Sequence, residues 1–585
     1  MEHEQQGGTR RRALPQADAP GEPLLLLPKR QVGGASAVAP DPSSDPSRIC
    51  LPDLVQHIAG FLTCNEVACV LRLVNRAAAA LFSRPEDRTV RLSLPVPHRE
   101  FAQRWGGRDA VHSLTLAQRR LLPCLTARSG SIANLEVLLA RGEAGHVLEP
   151  AVLGAATAAG HIKVLGWLRS QGCAWSADSH AAREAARCGH TAMCEWLVAN
   201  RPAQSCELAC EAARGGHVGL MDLLLRSVFG YSPDTSARLL KAAAEGCDLP
   251  TLQRLLHTYL DSDHVDRHSA EQKAAVLAAA AASPTPDWRA KVKCLEDRGF
   301  PRTGADCSAA ASLPDWRARL GWLRQRGYRL TSAALVEAAG GGHVEALQFL
   351  LAEGVEMDAG TTKRAALHAA KAGHVAVLQA LSGAPTFRAA ALADALAAAA
   401  EQGHLPVVAW LADVLRLRAR TVRVFMSAVR SGSLKLLAWL RAHGCPWDAT
   451  VFAEAAGLGS EEQVEWLAAR GCPMGEKGEP YLSALRHQGL DLPPLQCLQR
   501  LGCPWGPTGA VFLCALERCQ RPGAAVSDRT ALRALTWLLV QGCPVELGVV
   551  VQRVQAQLGK ALAPAERAWM QELLVRLVEQ QHRRD

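Results

Sequence analysis

Residues 338–354 read AAGGGHVEALQFLLAEG, and residues 428–444 read AVRSGSLKLLAWLRAHG. Both stretches follow one plan. A run of small residues ends in glycine. Apolar residues then recur at helical spacing, Leu347 with Leu350 and Leu437 with Leu440, alongside Phe349 and Trp439. A second glycine closes the unit, suited to the left-handed conformation that ends helices. Each helix covers about nine residues, too short to be stable alone in water. Stacked copies bury a continuous core, and the alanines let neighbouring helices approach closely.

The plan recurs along the chain, as AATAAGHIKVLGWLRSQG from Ala155, AARCGHTAMCEWL from Ala185 and AARGGHVGLMDLLL from Ala212. Gly-His falls at His161, His190, His217, His343, His374 and His404. Degenerate copies fill the interval from 217 to 343, two of them carrying the same PDWRA at 286–290 and 314–318. About fourteen repeats of 27–31 residues result. The fold class is therefore all-α, a solenoid of stacked helix pairs.

Composition agrees with this reading. Of the 585 residues 49% are apolar but only 5% aromatic, which favours packed helices over β architectures. The net charge is +9. Arginine stripes occur at Arg317, Arg319, Arg324 and Arg326 and at Arg416, Arg418, Arg420 and Arg423. Acidic residues interleave almost everywhere else and no aromatic stacking platform accompanies the arginines, so these stripes read as solvated helix faces, and nucleic acid is an unlikely partner. The apolar run Leu24–Leu27 is too short for a secretory signal, and no long uncharged apolar stretch suggests a membrane span. The odd count of 19 cysteines then fits a reducing compartment, cytoplasmic or nuclear.

Residues 1–47 are rich in Pro, Gly and Ser and read as a disordered tail. Residues 48–105 form a helical module. Its first helix starts at Pro52 and Asp53, and its second near Glu66, with a short strand expected at Thr89–Leu94 and a helix near His98–Trp105. Leu54, Ile58, Phe61 and Leu62, then Val67, Val70, Leu71 and Val74, line more apolar surface than two short helices can bury. The repeat array spans 113–557, and 558–585 is a C-terminal capping helix with Met570, Leu573, Leu574, Leu577 and Val578 on its apolar side.

The repeats resemble the ankyrin family in their Gly-His, their spaced leucines and their Gly-small ending, although they are shorter than its usual unit and mostly lack its Thr-Pro-Leu-His opening. Short connections are expected between helix pairs in place of long hairpins. The module at 48–105 resembles an F-box through Leu51, Pro52, Leu54, Ile58, Leu62, Val67, Leu71 and Val74, without the usual Cys-Arg-x-Trp ending. That resemblance implies docking on a Skp-type subunit of a cullin-RING ubiquitin ligase, with a protein client on the concave face of the array. The alternative is a plain scaffold whose N-terminal helices only cap the array.

Residues with chemical potential have structural readings. Cys188, His190, Cys194, Cys206 and Cys210 have metal-ligand types, but Cys194 takes the slot that Leu165 and Leu347 hold in other repeats. His264 and His268 lie among Asp261, Asp263 and Asp266 in a polar stretch. The six Gly-His histidines recur at one repeat position and are expected to tie neighbouring loops together. No phosphate loop, nucleophile elbow or HExxH motif is present, so no catalytic residue, metal or cofactor is expected. Cys173, Cys445, Cys472, Cys503 and Cys543 each follow a repeat-ending glycine. Residues one repeat apart sit about 8–10 Å from each other, too far for a disulfide. Trp175, Trp447 and Trp505 follow these cysteines and are the candidate client contacts.

Overall fold

The computed structural model describes residues 52–582 except 108, 142–143, 174–178, 201–203, 227–232, 262–267, 384–385, 388, 416–420, 489, 520–527 and 559–563. The chain divides into two compact units, Met1–Glu100 and Phe101–Asp585. The described residues contain helices and no strand.

In the first unit the helices Pro52–Ala59, Cys64–Cys69, Arg76–Leu81 and Pro85–Arg88 are joined by tight turns. Thr63 and Glu66 form a reciprocal capping box at the start of Cys64–Cys69. Asn65 is fully buried. Its Nδ2 donates to the carbonyls of Arg91, Leu94 and Pro95 at 2.8, 3.2 and 3.0 Å, and its Oδ1 accepts from the Arg91 N–H at 2.8 Å. This contact replaces the strand expected at Thr89–Leu94. The segment's backbone groups are satisfied by one side chain instead of a partner strand.

Among its described residues the second unit is an array of fourteen helix pairs, from Leu116–Arg128 with Ile132–Ala140 to Ala510–Cys519 with Asp528–Val540. The helices Leu547–Leu558 and Pro564–His582 follow. First helices of successive pairs pack on one another throughout, whereas second helices touch their counterparts at only a few places. The alanines explain the asymmetry: Ala338, Ala339, Ala365, Ala366, Ala369 and Ala370 are completely buried. The closely spaced first helices form the inner wall, and the splayed second helices form the outer ridge.

Each inner turn is locked to the next. Gly342 adopts φ +78°, and a Cβ there would come within 2.7 Å of the His374 ring. His374 Nε2 in turn meets the Gly340 carbonyl at 3.2 Å. His161, His343 and His404 make the same reach to Arg128, Ser312 and Lys371 at 2.9, 3.1 and 2.9 Å. The rings of His190 and His217 lie against Gly160 and Gly189. Repeats without the histidine use other donors. Gln463 reaches the Val429 carbonyl at 3.1 Å, and Gln488 reaches that of Ala456 at 2.7 Å. Two buried cations serve the PDWRA repeats. Lys291 Nζ donates to the Ala244 carbonyl at 3.1 Å and Ser283 Oγ at 2.9 Å. Arg319, 28 residues on, donates to the carbonyls of Ala281 and Ser283 at 2.7 and 2.9 Å. All of these satisfy carbonyls at or near the C-terminal end of a first helix.

The array also comes round to meet itself. His112 pairs with Glu465 at 3.0 Å, and its carbonyl accepts from the Glu462 N–H at 3.2 Å. Arg119, almost fully buried, donates to Gln488 Oε1 at 2.6 Å, and Arg120 donates to the His487 carbonyl at 2.9 Å. His146 sits between Glu149 at 3.1 Å and Asp491 at 2.9 Å. Thr115 lies against Gly432. The first repeat thus clasps repeats eleven to thirteen, completing one superhelical turn.

Candidate binding surfaces

The inner wall is lined by charges that cancel. Arg128 meets Glu184 at 3.0 Å, and Arg183 meets Glu207 at 3.4 Å. Arg214 holds both Glu211 and Glu245, the latter at 3.0 Å. Lys363 binds Asp394 at 3.0 Å, and Arg423 approaches the same carboxylate at 3.4 Å. The hydrogen bond from Lys363 is the main cause that holds the Asp394 carboxyl below the ordinary range. Arg430 joins Glu401 and Glu454 at 3.7 and 2.7 Å. Most of these rungs link one first helix to the next; Arg128–Glu184 skips the helix Pro150–Ala158, and Arg214–Glu211 lies within one helix.

The outer ridge differs. Between residues 288 and 329 there are ten Lys and Arg against four Asp and Glu, an excess of six within a chain whose total is +9. Lys291 and Arg319 are buried, while Arg289, Lys293, Arg298, Arg302, Arg317, Arg324 and Arg329 are exposed. Two of the four acids are occupied locally. Glu296 is held by Arg326, Arg302 at 3.0 Å and the Tyr328 hydroxyl at 3.0 Å. Burial alone would raise its carboxyl, but these donors bring it below the ordinary range. Asp315 pairs with buried Arg319 at 2.7 Å. Aromatic rings lie within the basic surface: Trp322, half-buried, meets Trp288 edge-on at 5.2 Å, with Arg326 over its ring.

The first unit exposes an apolar face. Leu54 is 53% exposed and Ile58 44%, and Phe61, Val70, Leu73 and Val74 are exposed too. Pro52 is exposed, Val67 is buried, and Leu62 and Leu71 are intermediate; Leu51 lies outside the described residues.

Trp447 and Trp505 are half-buried and packed between repeats. Trp447 meets Phe425 at 5.6 Å and Trp466 at 6.2 Å, under the Arg441 guanidinium. Trp505 stacks on buried Tyr481 at 3.9 Å. Trp175 lies outside the described residues. Cys173, Cys445, Cys472, Cys503 and Cys543 are buried free thiols. Cys445 donates to the Thr421 carbonyl at 3.4 Å, tying the end of one helix pair to its start. Burial pushes the thiols of Cys472, Cys503 and Cys543 up to about 12, which makes them poor nucleophiles. Among the described residues no group of three or more His, Cys, Asp and Glu is placed to hold a metal ion, and no helix is long and apolar enough to cross a membrane. Asp263, His264 and Asp266 lie outside the described residues.

No family model matches the chain, and no curated protein matches it. Solved structures align with it along most of its length. The pentatricopeptide repeat protein PPR10 in complex with an 18-nt psaJ RNA element covers 87% of this chain and 85% of that one, at 13% identity and a TM-score of 0.25. PPR10 from maize covers 92% and 98%, at 13% identity and a TM-score of 0.22. Two expectations are corrected here. The ankyrin and F-box resemblances gain no family match, and the aligned structures belong to a different helical-repeat family. Their residue patterns are those that any stack of short helix pairs, or any small helical hairpin, needs in order to pack. The expectation that nucleic acid is an unlikely partner is corrected as well; two of the aligned structures are solved with RNA. It rested on an average over the sequence, whereas folding pairs the inner charges and leaves the excess on the outer ridge.

Proposed function

We propose that the chain is a non-catalytic binding scaffold whose partner is a nucleic-acid strand. The observation that carries this reading is the segregation of charge. Cations on the inner wall are matched by carboxylates of neighbouring repeats. Positive charge exceeds negative by six between residues 288 and 329, and on the outside of this stretch Arg289 and Lys293 are exposed while Arg302, Arg317 and Arg324 make ion pairs at the surface. Phosphate contacts supply sequence-independent affinity that falls steeply with salt.

The experiment is a titration of a fluorescently labelled single-stranded RNA with the full chain, followed by anisotropy at several salt concentrations. Binding that weakens by at least about tenfold between 50 and 200 mM salt is expected. No binding at the lower salt would refute the reading.

A further inference from the structure

The two faces of the array make different offers to a strand, and the inner one is the poorer. A strand along the inner wall would have to displace carboxylates already bonded to the arginines there. Arg214 and Arg430 each hold two acidic partners, and Lys363 and Arg423 share Asp394. The clasp between the first repeat and repeats eleven to thirteen also completes a turn around that wall.

Outside, the helices Trp288–Asp297 and Trp316–Gln325 stand side by side in adjacent repeats. Arg289 and Lys293 lie one helical turn apart on the exposed side of the first, and Arg317 takes the position of Arg289 on the second. Trp288 and Trp322 meet across the two helices at 5.2 Å, so Arg289, Lys293 and Arg317 lie on one stretch of surface. Arg289 and Arg317 flank their own tryptophans at 5.1 and 5.3 Å. Trp322 brings a partly exposed indole between the two helices. Arg317 and Arg324 do pair with Glu345 and Glu353 of the following repeat, but the Arg317–Glu345 pair is 77% and 73% exposed, a surface ion pair of little net worth that a phosphate can displace.

Resting on the nucleic-acid reading, we infer that the strand binds this outer ridge of the sixth and seventh repeats, single-stranded, with phosphates on Arg289, Lys293 and Arg317 and a base against Trp322. Cations beside a partly exposed aromatic ring are the combination that holds unpaired nucleotides. The cations track the backbone while the ring offers a stacking surface that a duplex cannot use.

The test compares full-length variants against one labelled single-stranded RNA, each first checked for an unchanged melting temperature. Arg289→Glu, Lys293→Glu and Arg317→Glu together are expected to weaken binding at least about tenfold. The slope of log affinity against log salt should also flatten by about 2, from three lost contacts at about 0.7 each. The milder set Arg289→Gln, Lys293→Gln and Arg317→Gln covers the case where charge reversal disturbs folding, and should flatten the slope similarly. Arg364→Glu with Lys371→Glu, on the inner wall, should leave affinity within about twofold. If the wild type binds and the ridge variants bind equally well, the inference is overturned while the nucleic-acid reading survives. If the wild type fails to bind at low salt, both fall. Tighter binding of an RNA duplex, or of poly-glutamate, would overturn the single-strand assignment.

Discussion

His374 shows what holds one repeat to the next. Its ring covers the left-handed Gly342, and its Nε2 meets the Gly340 carbonyl. His374→Ala should cost about 1–2 kcal/mol, the loss of a hydrogen bond with a carbonyl left behind. Gly342→Ala should cost more, because it forces a side chain into positive φ and into contact with the imidazole. Melting temperatures of the two variants check the order; an alanine at 342 that leaves stability unchanged would contradict this packing. Much at this scale was legible in the sequence, since a histidine recurring after glycine must answer a need that recurs with the repeat. The substitutes were not. Lys291 and Arg319 read as exposed because of their charge; Asp287 and Asp315 stand four residues before them, but the carbonyls that their burial serves lie 36 to 47 residues earlier.

At the scale of elements, paired alanines and spaced leucines made the helix pairs readable, because short-range periodicity decides which side of each helix is buried. The strand expected at Thr89–Leu94 failed because apolar alternation does not reveal that a distant side chain, Asn65, already satisfies the backbone. The clasp was equally invisible, since its partners lie about 350 residues apart. It has a pH signature. Burial alone would lower the pKa of His146, but Asp491 and Glu149 outweigh it and raise it to about 9. The folded value lies above the unfolded one. The stabilisation is therefore fully present below about 6.5 and is lost as pH rises through about 9, on the order of 3 kcal/mol at most. Thermal unfolding from pH 6.5 to 10 should show a larger loss for the wild type than for His146→Gln. Equal slopes would remove His146 from the clasp.

For the whole molecule, the number of repeats was readable and the distribution of charge was not. The sequence places arginines and glutamates side by side almost everywhere. Folding sorts them into an inner wall of matched pairs and an outer sector where cations outnumber carboxylates. The array also curves until its first repeat meets repeats eleven to thirteen. The most direct test is energy transfer between dyes attached through non-natural amino acids at Ala117 and Arg486, two exposed positions on either side of the clasp. The Arg120–His487 hydrogen bond places these segments in contact, so high transfer efficiency is expected. Replacing His146 and Arg119 with alanine should lower it. Low efficiency in the wild type would mean an open array, in which about twelve repeats at about 10 Å each hold the dyes on the order of 100 Å apart, and would contradict the closed turn.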